Sequence, residues 1–115
     1  MKKIKDPTIL NDEQLSHLLY RVDPVTFNVE TCLFYEDHVP HTALALIKGS
    51  ILIYKKRKLI HRHHKKGLLI GWMSLLDGEV SPYSIVIPSG TTLILVGKAD
   101  VKCLHLNELK EVIHA

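Results

Sequence analysis

With 115 residues the chain has room for one domain and one apolar core. Its 46% hydrophobic and 23% charged residues are ordinary globular proportions and exclude intrinsic disorder. A formal charge of +3 permits contact with acidic surfaces without announcing a nucleic-acid binder.

The start, Met1-Lys2-Lys3-Ile4-Lys5-Asp6-Pro7, is basic but has no apolar run behind it, so it does not read as a signal peptide. No stretch reaches the length that crosses a bilayer. Two cysteines, Cys32 and Cys103, are too few for a disulfide-dependent domain and read as reduced, buried thiols of a cytoplasmic protein.

Residues 11–22 read as a helix. Asn11 caps it, Gln14 stands three positions on, and Leu15, Leu18, Leu19 and Val22 recur at helical spacing before Asp23-Pro24 ends it. Short runs rich in β-branched and aromatic residues follow: 31–35, 43–47, 50–54, 59–61, 83–87, 91–96 and 101–106. Lys48-Gly49, Pro88-Ser89-Gly90 and Lys98-Ala99-Asp100 read as turns between them. Many short strands at this spacing predict a barrel or sandwich. The one interruption is 71–76, where Trp72, Leu75 and Leu76 share a face of a short helical turn. A closing helix is expected over 107–114, with Asn107 as cap and Leu109, Val112 and Ile113 as its apolar stripe. The whole of 1–115 reads as a single domain: a helical lead at 11–22, a barrel over about 30–106 and the closing helix.

This order of elements resembles the cyclic-nucleotide-binding domain. Tyr35-Glu36-Asp37-His38 sits where that family has its Gly-Asp turn, and Ile47-Lys48-Gly49-Ser50-Ile51 is similar to its strand–glycine–strand step. Gly67, Gly71 and Leu75-Leu76-Asp77-Gly78 fall at the spacing of its glycine-flanked phosphate-binding cassette. The likeness spans roughly 32–113. It implies a mainly β fold, a double-stranded β-helix (jelly-roll) barrel with an N-terminal helix, a short helix in the cassette and a short C-terminal helix.

The resemblance also implies what a nucleotide site needs. A glutamate after the second cassette glycine accepts from the ribose hydroxyl. An arginine about ten residues later pairs with the cyclic phosphate, and backbone N–H groups at a helix N-terminus assist. Here Trp72 follows Gly71, and counting forward reaches Ser81 and Pro82. Aligned from the far end, the arginine position falls near Thr91, and no arginine occurs after Arg62. A buried phosphate without a cation is costly, so binding of cyclic AMP or cyclic GMP is not expected. The degenerate pocket is expected to comprise Gly67, Gly71, Trp72, Ser81, Pro82, Tyr83 and Thr91, with the glycines kept for backbone geometry. Trp72 either plugs the former cavity or walls a pocket for another ligand with Tyr83 and the strand after Pro88. Plugging is the favoured expectation.

The run from Lys55 to Lys66 carries Lys55, Lys56, Arg57, Lys58, Arg62, Lys65 and Lys66. It reads as a solvated hairpin, with Tyr54 and Leu59 flanking a charged tip and Leu59 and Ile60 anchoring the return strand. The alternatives are an acidic protein partner or a phosphate-contacting patch, and the segment lacks aromatics for stacking bases. His61 and His63 would share a strand face, but neither they, His64, His38 nor His41 follow a metal-site spacing, so no metal and no cofactor is expected. Ser16-His17 has no partner acid, and Cys103 and His105, read as alternating on a strand, form no convincing pair. The protein is expected not to be an enzyme. Since the sequence ends at Ala115 without a second helical pair, sequence-specific DNA binding is not expected. The expected role is a regulatory or adaptor module binding another protein or a second copy through Leu109, Val112 and Ile113. The alternatives are a sensor of a different small ligand and a basic-hairpin regulator associated with nucleic acid.

Overall fold

The computed structural model describes residues 6–106. A two-residue strand β1 (Thr8–Ile9) leads into α1 (Asp12–Arg21). Its capping box is complete: Gln14 N donates to Asn11 Oδ1 at 2.8 Å, and Asn11 N donates to Gln14 Oε1 at 2.9 Å. Strands β2 (Val25–Thr26), β3 (Thr31–Phe34), β4 (Ala43–Lys48), β5 (Ile51–Lys55), β6 (Lys58–His63) and β7 (Leu68–Ile70) follow. Then come α2 (Trp72–Asp77), β8 (Ser84–Ile87), β9 (Thr92–Val96) and α3 (Lys98–Cys103). The strands form two antiparallel sheets, ordered β1-β7-β4-β9-β2 and β3-β8-β5-β6.

Alternation along β4 explains why three layers stack here. Leu44 and Leu46 point between the sheets, where they meet Phe34, Ile51, Ile53, Ile85 and Ile87. Ala43 and Ala45 point the other way, toward Leu15 and Leu18 of α1, Trp72 and Leu75 of α2 and Val101 of α3. Leucine fills the gap between sheets and alanine lets the helices approach. Each fully buried leucine contributes about 2 kcal/mol. β7 and β9 divide in the same way: Leu68, Ile70 and Leu93 face inward, Leu69, Ile94 and Val96 face the helices.

Gly49 turns the chain from one sheet to the other at φ +101°, with Thr91 packed so closely that a methyl group would meet its Cα at 2.8 Å. Ser50 N donates to Thr91 Oγ1, and that hydroxyl donates to Ser50 O, both at 3.3 Å. A glycine is needed for both reasons.

Three expectations are corrected. The segment 101–106, read as a strand, is not one: Lys98–Cys103 is helical, and the supposed turn Lys98-Ala99-Asp100 is its first turn. Val101 and Leu104 are buried three residues apart, a helical period, while Asp100 near the start and Lys102 near the end match the helix dipole. The barrel strands therefore end at Val96, and Cys103 and His105 do not alternate along a strand. Cys103 is exposed and Cys32 only half-buried, so neither is the buried thiol expected; Cys32 Sγ lies 3.2 Å from Phe34 O. Strand β7 and the short β1 and β2 were not anticipated. The closing helix over 107–114, with Leu109, Val112 and Ile113, lies outside the described residues.

Candidate ligand site

The cassette is built where β7 delivers the chain to Gly71, which adopts φ +87° and starts α2. The ring of Phe34 lies against the Gly71 Cα and leaves no room for a side chain, so glycine is required by space and by conformation. Gly71 offers no side chain to cap α2. The cap comes instead from 65 residues earlier: Asp6 Oδ1 accepts from Gly71 N at 2.9 Å, and Asp6 Oδ2 accepts from Met73 N at 3.2 Å. Both carboxylate oxygens thus sit on the N–H groups that open the helix, where a negative charge is favoured.

Burial works against that charge. It pushes the Asp6 carboxyl up to about 6, and the two backbone hydrogen bonds only partly offset it. Among the described residues the one ion pair is Arg21–Asp100 at 2.7 Å, and no described cation pairs with Asp6. The phenol of Tyr83 is held above its ordinary range, first by burial and then by the negative charge of Asp6, which places the two groups within electrostatic reach.

Trp72 is 2% exposed but does not plug the space between the sheets. It packs on the opposite side of the five-stranded sheet, among Leu10, Leu15, Leu18 and Val101, whereas Tyr83 packs against the inter-sheet core. The structure therefore does not bring Trp72 and Tyr83 to one wall. Trp72 Nε1 is buried with no acceptor among the described residues. Phe34, not Trp72, is the ring that lies against the cassette glycine.

The other expected pocket residues scatter. Gly67 belongs to the lead: Leu10 N donates to its carbonyl at 2.8 Å. Ser81 holds the loop before β8, donating through Oγ to Tyr83 O at 2.6 Å and accepting at its carbonyl from Asp37 N at 2.8 Å. Pro82 is exposed beside it. Thr91 belongs to the Gly49 corner. Gly71 meets Asp6 through its N–H, and Tyr83 lies within electrostatic reach of that carboxyl. A cleft of about 710 Å³ lies elsewhere, between α1 and the end of α3, lined by His17, Tyr20, Cys103 and His105 among others. A smaller one, about 240 Å³, is lined by Phe34, His38 and His41. Neither includes Gly71, Trp72 or Tyr83.

The basic run forms the β5–β6 hairpin, with Lys55 opposite Lys58 and the two-residue loop Lys56-Arg57. Lys55, Lys56, Arg57, Lys58, Arg62, Lys65 and Lys66 are all exposed. Leu59 and Ile60 do not anchor the return strand: they are 48% and 49% exposed, and the register shifts beside them. His61 and His63 do share a face, with ring centroids 4.9 Å apart. Partial burial, then the charged forms of His61 and His64, hold His63 below the ordinary imidazole value. No group of three or more His, Cys, Asp or Glu among the described residues is placed to hold a metal ion. No described helix is long and apolar enough to cross a membrane.

No family model matches the sequence, and no curated protein matches it. Solved structures do. The Thermus thermophilus catabolite activator protein superposes with a TM-score of 0.68 at 21% identity, over 91% of this chain and 51% of that one, so the chain spans about half its length. A cyclic nucleotide-binding-like protein from Brucella abortus gives 0.64 at 18% identity, over 84% and 85% of the two chains. The regulatory subunit of a cAMP-independent protein kinase A from Trypanosoma cruzi, bound to guanosine, gives 0.63 at 12% identity, over 83% and 34%. At such identities the likeness speaks for architecture: the chain has the jelly-roll fold of the cyclic-nucleotide-binding domains.

Proposed function

We propose that this is a non-catalytic regulatory or adaptor module that works by protein–protein contact and whose cyclic-nucleotide site is degenerate. One observation carries the reading: the N–H groups of Gly71 and Met73 already hold the chain's own Asp6 carboxylate. In this fold a cyclic phosphate would need those donors together with a cation. A second anion placed there would meet a carboxylate, with Trp72 in place of the sugar-hydroxyl acceptor and no arginine beyond residue 62. Calorimetric titration with cyclic AMP and cyclic GMP should give no heat of binding. Micromolar affinity for either would end this reading.

A second reading, a sensor for a different small ligand, is favoured by the guanosine-bound neighbour. An uncharged nucleoside is not repelled by Asp6. Protection of the protein against thermal unfolding by guanosine would move the assignment to this second reading.

A further inference from the structure

The β5–β6 hairpin is joined by Lys56 and Arg57, both left-handed, at φ +49° and +67°. Positive φ at both positions of a two-residue hairpin loop is the type I′ turn, which Asn-Gly satisfies with least strain. Here two long cationic side chains stand where the backbone favours asparagine and glycine. Non-glycine residues in this conformation are strained, and a strained position that persists invites a functional explanation.

Three further observations say what the explanation is. Seven of the chain's 15 lysines and arginines fall within 55–66, with no acidic side chain among them, and none takes part in the single ion pair of the described residues. The tip is fixed to the body, because Lys56 N donates to Glu36 Oε1 at 2.9 Å. Beside it, Leu59 and Ile60 lie half-exposed on β6, which among the described residues pairs only with β5 and is one edge of its sheet.

We propose that the Lys56-Arg57 tip and the adjoining β6 strand form a docking surface for an acidic polypeptide segment that also carries aliphatic side chains. The cations meet its carboxylates, and Leu59 and Ile60 meet its apolar groups. The same charges oppose pairing with a second copy of this edge. Half-exposed aliphatics, with no Phe, Tyr or Trp between Lys55 and Lys66, fit a polypeptide better than a nucleic acid. This deepens the protein–protein reading above and rests on it.

The test uses the full chain and a fluorescein-labelled capped peptide alternating glutamate and valine, followed by anisotropy at low and moderate salt. Its comparators are the same peptide with serine for valine and an oligothymidylate of equal charge. The glutamate–valine peptide should bind most tightly and weaken as salt rises. The double variant Lys56→Asn/Arg57→Gly should lose about tenfold or more in affinity while its thermal midpoint rises, since the loop is relieved of strain. Equal binding by the variant, a fall in its midpoint, no binding by the natural chain, or tighter binding of oligothymidylate would each overturn the assignment. Titration with cyclic AMP reports separately: nucleotide binding alongside intact peptide binding would remove the degenerate-site reading and leave the hairpin surface standing.

Discussion

The two sheets use their faces differently. The five-stranded sheet is covered on both sides, by the other sheet and by the helices, and its central strand β4 is buried through Leu46. The four-stranded sheet keeps its inner face dry but ends in β6, where every residue except His63 is exposed to solvent in large part. Both sheets share the inner core, but only the four-stranded one ends in a strand, β6, whose residues are mostly exposed and which no second described strand pairs. If β6 is the docking edge proposed above, stability and recognition fall on different strands, and changes in one should leave the other largely untouched.

The largest effect that would test this division is in β4. Leu44→Ala should cost about 3 kcal/mol in urea unfolding, through lost burial and an unfilled cavity. A cost under about 1 kcal/mol would mean the doubly covered sheet is not the stabilising one. Gly71→Ala should cost about 2 kcal/mol or more, because a methyl group meets Phe34 and the backbone is held at positive φ.

Asp6 gives a pH test at the covered sheet's end. Its folded value of about 6 lies above the ordinary 3.8, so the native state holds this proton more tightly than the unfolded chain. The associated stability is complete below about pH 4 and is lost as pH rises through about 6, by up to about 3 kcal/mol. Asp6→Asn should flatten that window in unfolding curves taken from pH 4 to 7. An unchanged slope would place the proton elsewhere. The smallest effect is at the edge: Leu59→Ser should change stability by no more than about 0.5 kcal/mol. A larger loss would show that β6 carries packing that its exposure hides.

Much of the covered sheet's partner elements was legible because local rules agreed. Asn11 and Gln14 spelled a capping box, and 43–47 read as a strand. The cassette helix was legible from Trp72, Leu75 and Leu76 at one face of a turn. What escaped had competing local signals. Val101 to Leu106 is as apolar as a strand, and tertiary contact of Val101 and Leu104 with the helix-side core decides for a helix. Leu68–Ile70 is a three-residue run buried on both faces, too short to show a period. Trp72 lies on the expected element but faces the helices and not the space between the sheets; nothing in the sequence says which face of a short helix meets which layer. Asp6 carried no signal at all: its partners are backbone groups 65 and 67 residues away.

That Asp6 contact has a mechanical side. The lead is fastened to the body in succession: by its carboxylate on the first turn of α2, by the pairing of β1 with β7, and by Leu10 hydrogen-bonded to Gly67 just ahead of β7. Tension applied upstream of Asp6 would reach the opening of α2 before it loaded the lead's second attachment. Whatever pulls on that end of the polypeptide tugs the cassette directly, as a cord tied to a latch.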